Sequence, residues 1–348
     1  MSCYHPLIGI DTGERTESGK VKYWIRSREQ SADFQKEIDL NEHILIPCGK
    51  CIGCRLDYSR SWADRMMLEL ETAKKGLFIT LTYNNETLLD IGGDHAYFTF
   101  FSEDGLPENA TVRKRDWQLF MKRLRKEFDG NHGRDFRKIR FFSAGEYGDH
   151  THRPHMHAIL FGIGLDDFPD IVSHGQNELG QIYYISPSFS DLWPFGFSLI
   201  SDVSWKTCAY VARYVVKKQK GWNAIEYAEK NIEPPFALMS RKPGLGREYL
   251  EAHPDCLDFE NINLSTPEGA LKIRIPKYYY KQLISDSKKN TLLDPERYDK
   301  IMADRKKYAE DSMILQLQKT GLSFLDYLEV KEERKLHQIK ALQRNKCV

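Results

Sequence analysis

The stretch IRFFSAGEYGDHTHRPHMHAILFG, residues 139–162, reads as two short strands joined by a turn-rich loop. Its last histidines, His155 and His157, lead directly into a run of apolar residues. Because side chains alternate between faces along a strand, these two imidazoles point the same way and can bind one metal ion. Glu146, where the first strand ends, adds a carboxylate. The stretch therefore predicts a metal site with two imidazoles, one carboxylate and open coordination positions.

Composition limits the classes of protein that fit. The chain has 348 residues, enough for one large domain or two smaller ones, and 41% of them are apolar, so it can bury a core. A net charge of +1 gives no global positive field, so any nucleic-acid contact must be local. There is no apolar run of about 18 residues and no secretory signal, so we expect neither a membrane span nor secretion. The odd number of cysteines, seven, indicates a reducing compartment.

The segment CGKCIGC, residues 48–54, places Cys48, Cys51 and Cys54 at the spacing of a zinc knuckle. A tetrahedral zinc site needs a fourth ligand, and Cys3 or His5 near the start of the chain can supply it. The alternative is three reduced thiols in a turn. We therefore predict a possible structural zinc that ties the N-terminal segment to this knuckle.

Periodicity indicates a mixed chain of strands and helices. We predict strands at His43–Ile46, 77–83, 139–143, 155–161, 182–185 and 197–200, and helices at 57–73, 112–128, 205–218 and over much of 294–348. Residues 84–110 and 165–195 read as mostly loop. We divide the chain into an N-terminal segment with the cysteine knuckle (1–58), a core (59–225), and a basic loop, aromatic segment and helical extension (226–348).

The segment WKTCAYVARYVVKK, residues 205–218, carries the second chemically loaded pattern. On a helix, Tyr210 and Tyr214 lie one turn apart on one face, and Lys217 follows on that face. A tyrosine hydroxyl can act as a covalent nucleophile, although its pKa of about 10 means that it needs help from a polarised phosphate and a nearby cation. For an isolated pair of tyrosines, packing in the core is the simpler interpretation.

Local basic patches are the predicted contacts to a phosphate backbone. The helix at 112–128 directs Arg115 and Lys122 outward, and the loop SRKPGLGR at 240–247 carries Arg241 and Lys242. Arg153, just before the histidine strand, is the fifth candidate. The loop lacks the pattern of a nucleotide-binding loop, and no dinucleotide-binding fingerprint occurs, so we expect no nucleotide cofactor.

Three segments in order, FITLTY at 78–83, RPHMHAILF at 153–161 and YVARYVVK at 210–217, resemble the motifs of rolling-circle replication initiators of the HUH endonuclease superfamily. CGKCIGCR, SRKPGLG and IPKYYY further resemble the replication initiators of gokushoviruses, small single-stranded DNA phages of the Microviridae. That resemblance spans about residues 1–285. It implies an α+β fold, the HUH endonuclease fold, with a central antiparallel sheet of about five strands flanked by helices, here with an N-terminal Cys-rich segment and a C-terminal helical extension.

The resemblance also implies roles. His155 and His157 would hold Mg²⁺ or Mn²⁺, with Glu146 as third ligand. Other candidates for that third place are Asp149, His150 and His152. Tyr210 and Tyr214 would be nucleophiles, and Lys217 would stabilise the phosphotyrosine. Thr80 and Thr82, on the first motif strand, would support the site.

The implied function is a site-specific single-stranded DNA endonuclease and ligase that starts phage genome replication through a covalent 5′-phosphotyrosine. Its partners would be single-stranded DNA at the origin, a host DNA polymerase and a helicase, in the cytoplasm of a bacterial host and without a membrane. Two alternatives remain open. One is a metal-dependent phosphodiesterase that uses water, and the other is a non-catalytic DNA-binding protein with a zinc knuckle.

Overall fold

The computed structural model describes residues 3–16, 21–27, 43–89, 110–129, 138–148, 152–177, 180–217, 222–229, 232–287 and 295–344. The chain divides into two compact units. One is Ser59–Tyr279, and the other combines Met1–Tyr58 with Tyr280–Val348. The three-segment division made from the sequence stays a prediction.

The first unit, Ser59–Tyr279, is built on a large antiparallel sheet. Its strands are β4 (Gly76–Tyr83), β5 (Arg140–Tyr147), β6 (Pro154–Phe161), β7 (Val172–Gln176), β8 (Ile182–Ile185), β9 (Gly196–Asp202) and β10 (Phe236–Met239). They lie in the order β10-β5-β6-β4-β9-β8-β7, so the histidine strand β6 has β5 and β4 as its neighbours. A two-stranded sheet, β11 (Asn261–Thr266) and β12 (Gly269–Arg274), completes the strands described in this unit. The predicted α+β class with an antiparallel sheet is confirmed.

The helices of the chain are α1 (Ile52–Ala73), α2 (Asn85–Leu89), α3 (Lys114–Asp129), α4 (Pro187–Ser190), α5 (Trp205–Lys217), α6 (Trp222–Glu229), α7 (Arg247–Ala252), α8 (Lys277–Ser287), α9 (Pro295–Thr320) and α10 (Phe324–Arg344). Short 3-10 turns occur at Leu165–Asp167 and Pro254–Asp258. Within the described ranges, no helix is both long enough and apolar enough to cross a membrane.

The two faces of the large sheet have different chemistry. On one face, Ile79 and Leu81 of β4 are fully buried against the apolar side of α3, where Trp117 and Phe120 belong to the same core cluster. Successive strand residues point to opposite faces, so Thr80 of β4 lies on the second face. The sequence of β4 therefore separates a hydrophobic core from a polar surface within a single strand.

Helix α5 packs on β5, β6 and β10. It begins with a reciprocal cap, in which the Ser204 and Thr207 side chains each accept a hydrogen bond from the other residue's backbone N–H. The indole N–H of Trp205 donates to Asp64 at 2.9 Å, which fixes the first turn, and Cys208 and Val211 are fully buried. These contacts hold the orientation of the tyrosine-bearing helix.

The second unit contains a three-stranded antiparallel sheet in the order β2-β1-β3, formed by β1 (Leu7–Arg15), β2 (Val21–Arg26) and β3 (His43–Ile46). Ile8 of β1 and Leu325 of α10 are both buried in a small apolar cluster. The predicted helical character of the C-terminal part is confirmed by α9 and α10.

The structure differs from the sequence prediction in several bounds. Strand β5 runs through Gly145 to Tyr147 instead of ending at residue 143, because the Phe236 ring packs where a Cβ of Gly145 would lie, 2.6 Å away. Helix α1 starts at Ile52, five residues before the predicted start at 57. The large sheet has seven described strands where about five were expected, and the exposed strand β7 was not predicted. In the predicted loop at 84–110, residues 85–89 form α2, and 90–109 lie outside the described residues.

Candidate metal and tyrosine site

The register of three strands brings the predicted metal ligands together. Glu146 of β5 pairs directly with His155 of β6, and His155 in turn pairs with Thr82 of β4. Two residues further along β6, His157 pairs with Thr80. Directly paired residues carry their side chains on the same face, so both histidines and the glutamate lie on the sheet face that α5 covers.

The three side chains form a compact group of ligand atoms. Oε1 of Glu146 lies 3.0 Å from Nε2 of His155 and 3.5 Å from Nε2 of His157. All three ligand atoms lie within 4.8 Å of one another. The arrangement of two imidazoles and one carboxylate, predicted from the sequence, is therefore present as a cluster that could hold a metal ion.

The outer nitrogens of both imidazoles have partners of their own. Nδ1 of His155 lies 2.9 Å from the carbonyl oxygen of Arg153, and Nδ1 of His157 lies 2.9 Å from the Thr80 hydroxyl. A carbonyl only accepts hydrogen bonds, so Nδ1 of His155 donates to it, and Nε2 of the neutral ring then presents a lone pair to the Glu146 carboxylate. Two acceptors at 3.0 Å need a proton or a cation between them. The donor set therefore fits a divalent cation held through Nε2 of both rings.

The Glu146 carboxylate is buried, with 3% of its surface exposed. Burial raises its pKa, but hydrogen bonds from His155, His157 and Tyr214 outweigh that effect and lower the pKa to about 2. The group therefore carries a negative charge at neutral pH, the form that a metal ion requires.

Helix α5 places both tyrosines over this cluster. The Tyr210 hydroxyl lies 3.2 Å from Nε2 of His157. The Tyr214 ring stacks on the His157 ring, with centroids 5.4 Å apart and planes 14° from parallel, and its hydroxyl hydrogen-bonds to Glu146. Tyr214 is buried and Tyr210 is half-buried. Burial, followed by the nearby Tyr210 and Glu146 groups, raises the pKa of Tyr214.

The sequence prediction missed Arg213, which precedes Tyr214 on α5. Its guanidinium carbon lies 5.4 Å from the centre of the Tyr210 ring, and the side chain is exposed. The signal was in the spacing, because Arg213 follows Tyr210 by three residues, as Lys217 follows Tyr214. Lys217 ends α5, and its side chain lies outside what the structure describes.

The other candidates for the third ligand are not part of the cluster. Asp149 and His150 lie outside the described residues. His152 is exposed, has a left-handed φ of 50°, and does not belong to the group of ligand atoms.

The predicted DNA contacts do not gather at the site. Arg115 and Lys122 are exposed on α3, the helix that packs against the opposite face of the sheet. Arg241 and Lys242 are exposed in the loop before α7. Arg153 lies closest in the chain to the histidines, and its guanidinium donates to the Tyr83 carbonyl at 2.8 Å and to the Asn85 side chain at 2.5 Å.

A second group of possible metal ligands lies in the unit that contains the N-terminal residues. The sulfur atoms of Cys3, Cys48, Cys51 and Cys54 all lie within 4.8 Å of one another, and Sγ of Cys51 is 3.9 Å from Sγ of Cys3. Four sulfurs around a tetrahedral zinc ion, with Zn–S bonds of about 2.3 Å, are about 3.8 Å apart. Cys3 is therefore the fourth member of this group. His5, the alternative, is exposed and contacts Glu332 at 2.7 Å.

Backbone N–H groups point at these sulfurs. Cys48 donates to Sγ of Cys3 at 3.3 Å, Cys51 donates to Sγ of Cys48 at 3.3 Å, and Tyr4 donates to Sγ of Cys51 at 3.4 Å. Burial raises the pKa of Cys51, but N–H groups of Cys54 and Tyr4 and the neighbouring thiols outweigh it and lower the pKa to about 7. The cluster is therefore arranged to stabilise thiolate, the form that binds zinc.

Comparison with known proteins gives this geometry a family. A family model that describes replication-associated proteins of the ORF2 type matches residues 76–219, the span that contains the histidine strand and the tyrosine helix. The Replication-associated protein ORF2 of Spiroplasma virus 4 is 28% identical over 342 residues, which cover 97% of this chain and 96% of that protein.

Two further relatives carry the same description. The Replication-associated protein VP4 of Bdellovibrio phage phiMH2K is 30% identical over 67% of this chain and 66% of its own length. The Replication-associated protein ORF4 of Chlamydia phage 1 is 29% identical over 50% of this chain and 38% of its own length. No solved structure matches the chain. The resemblance to phage replication initiators is thus confirmed, and the chain belongs to the family of phage replication-associated proteins.

Proposed function

We propose that this protein is a HUH endonuclease that nicks and rejoins single-stranded DNA at a phage replication origin. The observation that carries the proposal is the convergence of Tyr210 and Tyr214 on the Glu146–His155–His157 cluster, with the Tyr210 hydroxyl 3.2 Å from Nε2 of His157. A cluster of metal ligands with a nucleophile beside it suits attack on a phosphodiester. The strand and helix arrangement supports the HUH endonuclease fold.

In the proposed reaction, one tyrosine oxygen attacks the phosphorus of the scissile phosphodiester. A phosphorus–oxygen bond to tyrosine forms and the bond to the 3′ oxygen breaks. The tyrosine hydroxyl loses one proton and the departing 3′ oxygen gains one, so the step is balanced. The product is a 5′-phosphotyrosine and a free 3′-hydroxyl that a host polymerase can extend. Because one phosphate ester replaces another, the step needs no nucleotide cofactor.

Two tyrosines allow a second cleavage while the first end stays bound. The second tyrosine attacks the regenerated origin, and the 3′-hydroxyl that this cleavage releases attacks the first phosphotyrosine and joins the ends. Tyr210 and Tyr214 are one helical turn apart, with ring centroids 5.3 Å from each other, so both can reach a phosphate at one cluster. Lys217 and Arg213 are the cations of α5 that would offset charge on the phosphate.

Glu146, His155 and His157 would hold the metal ion. Mg²⁺ or Mn²⁺ bound there supplies a Lewis acid that polarises a phosphodiester oxygen. The Arg153 carbonyl and the Thr80 hydroxyl keep Nε2 of each ring directed at that position. Electron paramagnetic resonance of added Mn²⁺ tests binding apart from activity. We expect the His155→Ala, His157→Ala double variant to lose binding, whereas His152→Ala, which changes an exposed neighbouring histidine, keeps it. Equal binding by all three proteins would refute the metal assignment.

We further propose that Cys3, Cys48, Cys51 and Cys54 bind a structural zinc ion. The remaining parts of the proposal are a host DNA polymerase and a helicase as partners and the cytoplasm of the bacterial host as the place of action. These follow from the family's description as replication-associated proteins of phages.

A denaturing gel tests the proposed function. The protein is incubated with Mn²⁺ and with single-stranded oligonucleotides that tile the phage genome. We expect a protein–DNA adduct that survives denaturation and disappears in the Tyr210→Phe, Tyr214→Phe double variant. Tyr183→Phe, which removes a half-buried hydroxyl bonded to Asn177 outside the site, should form the adduct normally. Cleavage without an adduct would indicate hydrolysis by water, and binding without cleavage would indicate a non-catalytic DNA-binding protein.

A further inference from the structure

An exposed aromatic side chain continues the line of paired residues that contains the metal ligands. Glu146 pairs with His155, His155 pairs with Thr82, and Thr82 pairs with Phe197 of β9. This row of four residues crosses the strands β5, β6, β4 and β9 on one face of the sheet. Phe197 therefore shares a surface with the candidate site.

The row opens to solvent along its length. Glu146 has 3% of its surface exposed, whereas Phe197 has 65% exposed, the largest value among the exposed large apolar side chains described in its unit. A single exposed apolar residue needs no explanation by itself. Its place at the open end of the row that leads to the metal ligands is what gives Phe197 a possible role.

The backbone fixes the position of this ring. Gly196, just before Phe197, has a φ of 154°, and a Cβ there would lie 2.2 Å from the Thr82 carbonyl oxygen and 2.4 Å from the Asn84 nitrogen. Only glycine allows β9 to approach the end of β4 this closely. The strand is thereby held so that the residue after Gly196 pairs with Thr82.

Distance and charge suit a strand of DNA. Adjacent strands are about 4.8 Å apart, so Phe197 lies about 10 Å from His155, two strands away. At about 3.4 Å per nucleotide or more, that distance spans at most about three nucleotides. Arg153 bonds to the carbonyl of Tyr83, and Tyr83 pairs with Gly196, so a guanidinium lies at the same end of β4.

We infer that Phe197 is a stacking platform for one nucleobase of single-stranded DNA, within about three nucleotides of the phosphate at the metal cluster. This inference rests on the proposed function and adds a substrate-positioning residue to it. Aromatic rings bind unpaired bases by stacking, largely without regard to sequence, because every base has a π-face. Backbone phosphates would follow the row towards the cluster.

Fluorescence anisotropy without added metal tests the inference. The probes are a labelled oligothymidylate of about twelve nucleotides and an abasic deoxyribose-phosphate strand of the same length. We expect Phe197→Ala to bind the oligothymidylate about tenfold more weakly and the abasic strand as the wild type does. Phe197→Trp should restore the affinity. Phe259→Ala, which removes a phenylalanine of the same unit with 60% of its surface exposed, should have no effect.

Two outcomes would overturn the inference. In the first, Phe197→Ala binds the oligothymidylate as tightly as the wild type. In the second, it weakens binding of both strands equally. If either occurs while the wild type still forms the tyrosine adduct, the platform is refuted and the proposed function stands. If the wild type binds neither strand and forms no adduct, both are refuted.

Discussion

The Thr80 hydroxyl lies 2.9 Å from Nδ1 of His157, across the directly paired position of β4 and β6. This contact fixes the orientation of one imidazole, because the other ring nitrogen then faces Glu146 and Tyr210. A hydrogen bond to the outer nitrogen of a metal-binding histidine typically raises metal affinity by 10–100-fold. Thr80 therefore belongs functionally to the candidate site although it contributes no ligand atom.

Thr80→Val should weaken Mn²⁺ binding by about 10–100-fold, because it removes the hydroxyl but keeps the shape of the side chain. Isothermal titration calorimetry measures the change. The control is Thr82→Val on the same strand and face, since the histidine paired with Thr82 has its Nδ1 at the Arg153 carbonyl instead. If both variants bind Mn²⁺ like the wild type, the hydroxyl does not orient the ring.

Tyr210→Phe should slow the first cleavage of a single-stranded origin more than Tyr214→Phe does. Tyr210 is half-buried, whereas Tyr214 has 8% of its surface exposed and its hydroxyl is held by Glu146. The more accessible hydroxyl is the one an incoming phosphate meets first. Single-turnover kinetics on a denaturing gel give the rate of adduct formation for each variant, and we expect at least a tenfold difference, about 1.4 kcal/mol in the barrier. Equal rates would mean that the two tyrosines are interchangeable.

Much of the site could be predicted from sequence because its pieces are local patterns. The spacing of His155 and His157 on a strand, and of Tyr210 and Tyr214 on a helix, follows from the periods of those elements. The Thr80 contact and the row that ends at Phe197 depend on strand order and register, which one strand's own sequence does not encode. Glu146 illustrates both cases. Its carboxylate was recognised, but the strand was expected to end at residue 143, and only packing of Phe236 on Gly145 shows why β5 continues to Tyr147.

Cys3→Ser should lower the zinc content of the purified protein, whereas His5→Ala should leave it unchanged. The four sulfur atoms of the cluster lie within 4.8 Å of one another, and the His5 ring contacts Glu332 instead. Loss of one thiolate from a four-cysteine site removes a bond of about 2.3 Å that three ligands and water replace poorly. Inductively coupled plasma mass spectrometry gives the metal content, and native mass spectrometry gives the mass of the bound ion. Absence of zinc from the wild-type protein after expression in zinc-supplemented medium would contradict the assignment.

Glu69→Ala should destabilise the unit Ser59–Tyr279 by about 3 kcal/mol, because it leaves a buried guanidinium without its carboxylate. Oε1 of Glu69 lies 2.5 Å from Nε of Arg140, and Oε2 accepts the Gly246 N–H at 2.7 Å. Arg140 in turn donates to the Pro243 carbonyl at 2.8 Å, so the pair holds the basic loop at 240–247 in place.

Urea unfolding followed by tryptophan fluorescence measures this loss of stability. The matched control is Glu71→Ala, two residues along α1, whose carboxylate is exposed and pairs with Lys74 at 2.6 Å. An exposed ion pair of this kind contributes about 0–1 kcal/mol, so we expect the midpoint of unfolding to change little in the control. Similar midpoints for the two variants would show that the buried pair does not hold the loop. A large shift for Glu69→Ala alone would show that Arg241 and Lys242 are carried on a loop that the core fixes.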